Sequence, residues 1–183
     1  MHLQGKEGCP LTIETQRLFL RPPREGDQEA VRAQLSNFEI AKWLAKVPHP
    51  YPPGHEKAWW ARAREREALG HPAYFMMVLK DDRADTSIGS IAIGPTAEGP
   101  WRLGYWLDQP HWGKGLMSEA VRAVVAHTLK TWAPDVILSG VYEDNKASGA
   151  ILEKLGFVYK DTSEEWCEAR QKTLPHLNLI LKP

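Results

Sequence analysis

Leu103-Gly104-Tyr105-Trp106-Leu107-Asp108, a turn at Gln109-Pro110, and then Trp112-Gly113-Lys114-Gly115-Leu116-Met117 form the run on which the fold turns. It begins as an aromatic strand, Trp101 to Leu107, closed by Asp108-Gln109-Pro110. From Leu116 to Lys130 the apolar residues Leu116, Ala120, Val121, Val124 and Val125 recur at helical spacing, with Glu119, Arg122 and Lys130 opposite them. A strand that feeds a glycine loop at a helix N-terminus makes an anion site, because free N–H groups and the positive end of the helix dipole face the ligand. Glycine lets the backbone approach without a Cβ clash, and Lys114 adds a point charge suited to phosphate. On spacing alone, a plain strand-to-helix turn explains the same residues. A Walker A loop would need Lys then Ser or Thr after its last glycine, and Gly104 is followed by Tyr105-Trp106. A dinucleotide-binding GxGxxG would need glycine where Ser118 stands.

Working outward, Leu11 to Thr15 and Arg17 to Arg21 alternate as strand and stop at Pro22-Pro23. Asp27 reads as the N-cap of a helix through Gln34, and Ile40, Trp43 and Leu44 mark a second short helix. Pro48 to Gly54 is a stiff connector, followed by a charged helix from His55 to Leu69 that carries Trp59-Trp60. Tyr74–Leu79 and Ser87–Ile93 are strands, so Trp101–Leu107 is the fourth. A fifth runs from Val136 to Tyr142, a helix from Asn145 to Leu155 stops at Gly156, a strand starts at Phe157, and Leu177 to Leu181 is the last. The order implies one α/β (α+β) domain over residues 11–183, behind a loose leader at 1–10.

At 183 residues the chain buries roughly 70% of its surface, enough for a core without disulfides or metals. Lys plus Arg and Asp plus Glu both total 23, so the net charge is zero and a general nucleic-acid binder is disfavoured. Cys9 and Cys167 show no metal spacing and read as reduced thiols of a cytoplasmic protein. The seven scattered histidines offer no metal motif, and no run is long and apolar enough for a membrane span.

A second stretch, Glu143-Asp144-Asn145-Lys146-Ala147-Ser148, leads into Glu153-Lys154-Leu155-Gly156-Phe157. Asn145 as N-cap with Ser148 at N3 explains it structurally. Taken in order with Leu103–Asp108, Trp112–Gly115 and Ser118-Glu119-Ala120, it strongly resembles the Gcn5-related N-acetyltransferases. More narrowly it is similar to the RimJ/RimL-like branch, whose first strand Glu14 to Pro22 also matches. The resemblance covers nearly everything from Leu11 to the last strand.

The resemblance implies a central, mostly antiparallel mixed sheet of about seven strands, split between the fourth and fifth to admit acetyl-CoA. It implies that Trp112, Gly113, Lys114, Gly115, Leu116 and Met117 wrap the pyrophosphate. Tyr105, Trp106 and Leu107 offer backbone groups to the pantetheine arm and acetyl carbonyl, Asn145 contacts the pantetheine, and Ser148 protonates the departing thiolate. The family loop reads Gln/Arg-x-x-Gly-x-Gly/Ala, so Met117 is bulkier than usual and should tilt the loop. Leu152 stands where many members carry a tyrosine acid. The transfer is direct, needs no metal, and homodimers are common among similar enzymes.

An amine with a pKa near 10 needs a base before it attacks a thioester. Glu168 is the favoured base, with Glu165 and Glu98 as rivals and a solvated hairpin carboxylate as the plain alternative. Trp43 to Tyr51, Trp59-Trp60 and Asp161 to His176 should form the acceptor pocket, where Glu164 and Glu165 would attract a cation. The aromatics in those segments could equally pack the core, and His55, His127 and His176 read as structural. A protein or peptide N-terminal amine is the favoured acceptor; a small amine such as an aminoglycoside, polyamine or amino acid is the alternative. A non-catalytic acyl-CoA-binding module and, more remotely, a nucleotide-dependent oxidoreductase complete the options.

Overall fold

The computed structural model describes residues 12–68, 74–97 and 99–183; the leader at 1–10, with Cys9, and Glu98 lie outside them. Eight strands form one sheet in the order β1-β2-β3-β4-β5-β6-β8-β7. They are β1 (Ile13–Glu14), β2 (Leu18–Arg21), β3 (Tyr74–Leu79), β4 (Ser87–Pro95), β5 (Trp101–Leu107), β6 (Ile137–Tyr142), β7 (Val158–Cys167) and β8 (Lys172–Leu181). The count exceeds seven because the first segment turns back on itself. The Thr15 N–H donates to the Leu18 carbonyl and the Leu18 N–H donates to Thr15 Oγ1, both at 3.0 Å. That turn divides the alternating run into β1 and β2.

Among the described residues only β5 and β6 run parallel, and they pair at just two positions, Trp101 with Ile137 and Arg102 with Leu138. Past these the strands part. The expected split is therefore present, between β5 and β6 in the eight-strand numbering. Ser139 Oγ donates to the Leu103 carbonyl at 3.1 Å and closes the fork.

Period-two alternation serves both faces of the sheet. Phe75 and Met77 join Ile91, Ile93 and Leu103 under α4 (Leu116–Trp132) and α5 (Lys146–Lys154). Met76, between them, joins Val31, Leu35, Ile40 and Trp59 under α1 (Asp27–Leu35), α2 (Phe38–Ala41) and α3 (His55–Ala68). Asp27 is not the cap of α1: Gly26 is, and Asp27 enters the first turn. Its carboxylate takes two 2.9 Å bonds from the Arg21 guanidinium and the Arg24 N–H. Trp43 and Leu44 fall just beyond α2, whose cap is Asn37.

The segment from Asp161 to His176 lies in the last two strands and the turn between them. β7 and β8 make one long antiparallel hairpin that turns at Gln171, φ +50°. Cys167 is a free, buried thiol. Among the described residues no helix is long and apolar enough to cross a membrane.

Candidate active site

A cavity of about 970 Å³ runs from the loop after β5, through the β5–β6 fork, to the face beneath α2 and the hairpin. Of the residues expected at the cofactor, Tyr105, Trp106, Leu107, Trp112, Gly113, Gly115, Leu116, Met117, Asn145 and Ser148 all line it. Lys114 does not; its side chain is exposed and its carbonyl accepts from Arg17 Nη1 at 2.8 Å.

The loop geometry follows from its glycines. Gly113 and Gly115 sit at φ +73° and +74°, a left-handed conformation that costs an L side chain about 1–2 kcal/mol. The first bond of the α4 ladder is Glu119 N–H to the Gly115 carbonyl, so the preceding N–H groups are left for a ligand at the helix N-terminus. Trp112 Nε1 donates to the Leu107 carbonyl at 2.7 Å and staples the loop to the end of β5. Met117, in the first turn of α4, is 5% exposed and packs in the main core while also lining the cavity.

In the fork, alternation decides which backbone groups are free. The Leu103 carbonyl faces β6, where Ser139 reaches it. The Trp106 carbonyl faces β4, 2.5 Å from where a Gly89 Cβ would stand. The Tyr105 N–H and C=O therefore share the Leu103 edge and point into the fork. The Tyr105 ring spans the gap to α5. Its hydroxyl lies 2.8 Å from Ser148 Oγ and 3.2 Å from the Ser148 carbonyl. Burial pushes this phenol up to about 12, so it stays protonated across the working pH range. Leu152, fully buried in the core, contributes no acid. Ser148 is fixed from its backbone too, since its N–H donates to the Asn145 side chain at 3.2 Å.

The acceptor end is built from distant segments. Trp43, Leu44, Ala45 and Lys46 form one wall, and Glu165 and His176 come from the hairpin. Glu168 is not among the lining residues. It sits half-buried at the hairpin end, its N–H donating to the Ala45 carbonyl at 3.0 Å. Glu164 is exposed and also outside the lining. Trp59 is 5% exposed and packs edge-to-face on Tyr74 and Trp106, so it is core rather than pocket.

Arg170 holds the wall in place. It donates from Nε to the Lys42 carbonyl at 2.8 Å and from Nη1 to Asp144 at 2.6 Å, and it stacks on Trp43 and Tyr142. Arg66 and Arg102 line the far end, and neither pairs with a carboxylate among the described residues. Sequence reasoning missed Arg170, the Tyr105 hydroxyl and His176. The period-two register of the hairpin was the one signal that could have favoured Glu165 and His176.

Comparison with known proteins agrees with this geometry. Residues 17–158 match the model of the acetyltransferase (GNAT) domain. The N-acetyltransferase YoaA of Bacillus subtilis is 25% identical over 161 residues, 79% of this chain and 81% of that protein. The ribosomal protein uS5-alanine N-acetyltransferase of Escherichia coli is 32% identical over 115 residues, 60% of this chain and 56% of that one. Among solved structures, the ribosomal-protein-S5-alanine acetyltransferase of Vibrio fischeri superposes with a TM-score of 0.77 at 20% identity, covering 94% and 96% of the two chains. RimJ of Mycobacterium smegmatis, solved with a CoA disulfide, gives 0.76 at 20% identity over 94% and 88%. With the family model spanning most of the chain, the protein belongs to the GNAT acetyltransferases and is an N-acetyltransferase, with relatives and structural neighbours named as RimJ/RimL ribosomal-protein acetyltransferases.

Proposed function

We propose that this protein is cytoplasmic and transfers an acetyl group directly from acetyl-CoA to a protein or peptide N-terminal amine. The observation that carries the reading is the continuity of the cavity, which joins a glycine loop at a helix N-terminus to a walled acceptor face through the β5–β6 fork. When bound, acetyl-CoA supplies the activated acyl thioester. The N–H groups from Gly113 to Ser118 would hold its pyrophosphate, with Trp112, Leu116 and Met117 beside them. Trp106, Leu107 and Asn145 would flank the pantetheine.

The Tyr105 N–H, pointing into the fork, would stabilise negative charge on the acetyl oxygen. The Ser148 and Tyr105 hydroxyls, in mutual contact, would donate the proton that the leaving thiolate needs. Of the carboxylates weighed for the base, Glu165 has the position on the cavity wall and Glu168 does not. An N-terminal amine, with a pKa of about 8, is partly neutral at working pH and needs less help than a lysine.

One observation favours a second reading. Arg66 and Arg102 at the acceptor end, without a carboxylate partner among the described residues, suit a carboxylate-bearing small amine such as an amino acid.

Thermal shift with acetyl-CoA, followed by thiol release over alanine- and serine-starting peptides and a panel of small amines, tests the proposal. A shift plus peptide-dependent thiol release is expected. Release only with small amines overturns the peptide assignment in favour of the second reading. A shift without release from any amine favours a non-catalytic binding module. No shift overturns the loop assignment.

A further inference from the structure

Of the two histidines that line the cavity among the described residues, His111 and His176, the second is held as a base would be. It is 8% exposed and lies on β8 opposite Tyr142 of β6 and Ser163 of β7. Its ring fits because residue 140 has no side chain: a Cβ there would stand 2.2 Å from Cε1. The Nδ1 atom is 3.2 Å from Asn178 Oδ1.

The orientation of that amide is fixed by its other end. Asn178 Nδ2 donates to Asp161 Oδ1 at 2.6 Å and to Ser163 Oγ at 3.1 Å. The amide oxygen therefore faces the ring and requires a proton on Nδ1. In the neutral imidazole this leaves the lone pair on Nε2. Nε2 has no hydrogen-bond partner among the described residues, on a side chain that lines the acceptor end of the cavity.

We propose that His176 is the general base of the transfer, and that Asn178 is its positioning residue, aligned in turn by Asp161 and Ser163. This rests on the acetyltransferase reading above. As the neutral amine forms its C–N bond to the acetyl carbon, one proton of that nitrogen passes to Nε2. The C–S bond breaks, and the thiolate takes a proton from the Ser148–Tyr105 hydroxyl pair. That pair is restored from solvent, and His176 returns its proton to solvent, so the sequence closes on amide and free thiol.

The charged surroundings suit the role. Glu165 on β7 faces the ring and favours the imidazolium formed in the step, while Arg102 on β5 opposes it. Tyr142 on β6 packs edge-on to the ring at 5.4 Å, and its phenol is pushed up by burial, so it carries no charge. Asp161, also on β7, acts through the Asn178 amide. Burial pulls the ring below its ordinary value, which keeps the base unprotonated at neutral pH.

Two readouts on the full-length protein separate this proposal from the one it rests on. Nitrogen-15 spectra of the histidine rings need no acceptor: His176 is expected as the Nδ1–H tautomer, and Asn178→Ala is expected to release that preference. An Nε2–H tautomer in the wild type overturns the positioning.

For catalysis, kcat/KM is measured against pH with acetyl-CoA and the best amine of the panel. Beyond the fall that the amine's own pKa of about 8 imposes on any variant, the wild type should show a second, steeper loss on the acid side, below the ordinary histidine range. His176→Gln should lower kcat/KM by about 10² or more and abolish that acid limb, with the acetyl-CoA thermal shift unchanged as proof of folding. Asn178→Ala should cost less and move the acid limb to lower pH, because the bond that the ring donates to Asn178 favours its protonated form. A His176→Gln protein within twofold of wild type, acid limb intact, overturns the catalytic role. A wild type with the expected tautomer that acetylates nothing overturns the acetyltransferase reading and the role with it.

Discussion

The two ends of the cavity are made by opposite means. At the donor end, residues 105 to 118 present mainly backbone, shaped by two left-handed glycines and one indole staple, all close together in sequence. At the acceptor end the surface is side chain, assembled from the segment after α2, from β6 and from the hairpin, and locked by Arg170, which bonds the Lys42 carbonyl 128 positions away. A backbone site can accept one cofactor while its side chains vary. A side-chain site sets the acceptor, and exchanging a few residues changes it. The two styles meet in the fork, where Tyr105 touches Ser148.

The comparison breaks most visibly if a substitution at one end is felt at the other. Gly140→Ala puts a methyl group where the His176 ring lies. The ring must leave its seat, so acetylation should fall by about 10²-fold, while calorimetry should show acetyl-CoA binding as in the wild type. Loss of acetyl-CoA binding in this variant would mean that the two ends are not separable.

The reciprocal substitution is Gly115→Ala. Its Cβ would stand 3.6 Å from Arg17 Nη2, in ordinary contact, so the penalty is conformational. A free loop that relaxes out of this conformation recovers up to about 1–2 kcal/mol, so acetyl-CoA binding should weaken by up to roughly tenfold, with the KM for the amine unchanged. At the meeting point, Tyr105→Phe and Ser148→Ala should each slow turnover, and the double variant should lose less than the sum. A coupling of about 0.5–3 kcal/mol in the cycle would identify one shared proton-donating unit; strict additivity would separate the two hydroxyls. Because the buried phenol ionises only near pH 12, Tyr105 itself imposes no alkaline limb below about pH 11.

These two building styles also explain what the sequence could and could not convey. Strand, glycine loop and helix occupy one contiguous run, and every cofactor-side residue read from it lies at the cavity except Lys114, whose carbonyl is tied to Arg17. The acceptor side depends on register. Glu165 and His176 share a face because β7 and β8 pair Glu165 with Leu174 and Ser163 with His176. Glu168 falls past the last paired residue, Cys167, where that alternation ends. A strand offers no local cue that distinguishes these carboxylates, since one position of slip reverses every side chain. The eighth strand was hidden for a related reason: the Thr15 turn uses a hydroxyl and a carbonyl, with neither glycine nor proline to mark it.

The smallest effect belongs to a strut that supports the donor loop from outside. Glu119 on α4 accepts from Thr15 Oγ1 at 2.6 Å, from the Arg17 N–H at 2.8 Å and from Arg17 Nε at 2.7 Å, while Arg17 reaches on to the Lys114 carbonyl. Partial burial works to raise this carboxyl, but the bonds from Thr15 and Arg17 together hold it below its ordinary value. A carboxyl depressed in the folded state contributes stability above its unfolded pKa of about 4.3, and that contribution fades as pH falls through the folded value. The Arg17 side chain is 44% exposed, so screening limits the ion pair to less than about 1 kcal/mol. Glu119→Gln should therefore lower Tm by a few degrees at pH 7 and by progressively less toward pH 3, where wild type and variant converge. Because the side chains of the strut reach the loop through one bond, from Arg17 to the Lys114 carbonyl, acetyl-CoA binding should weaken by no more than about twofold. A tenfold loss would mean that the loop's shape depends on this outer strut as well as on its own glycines.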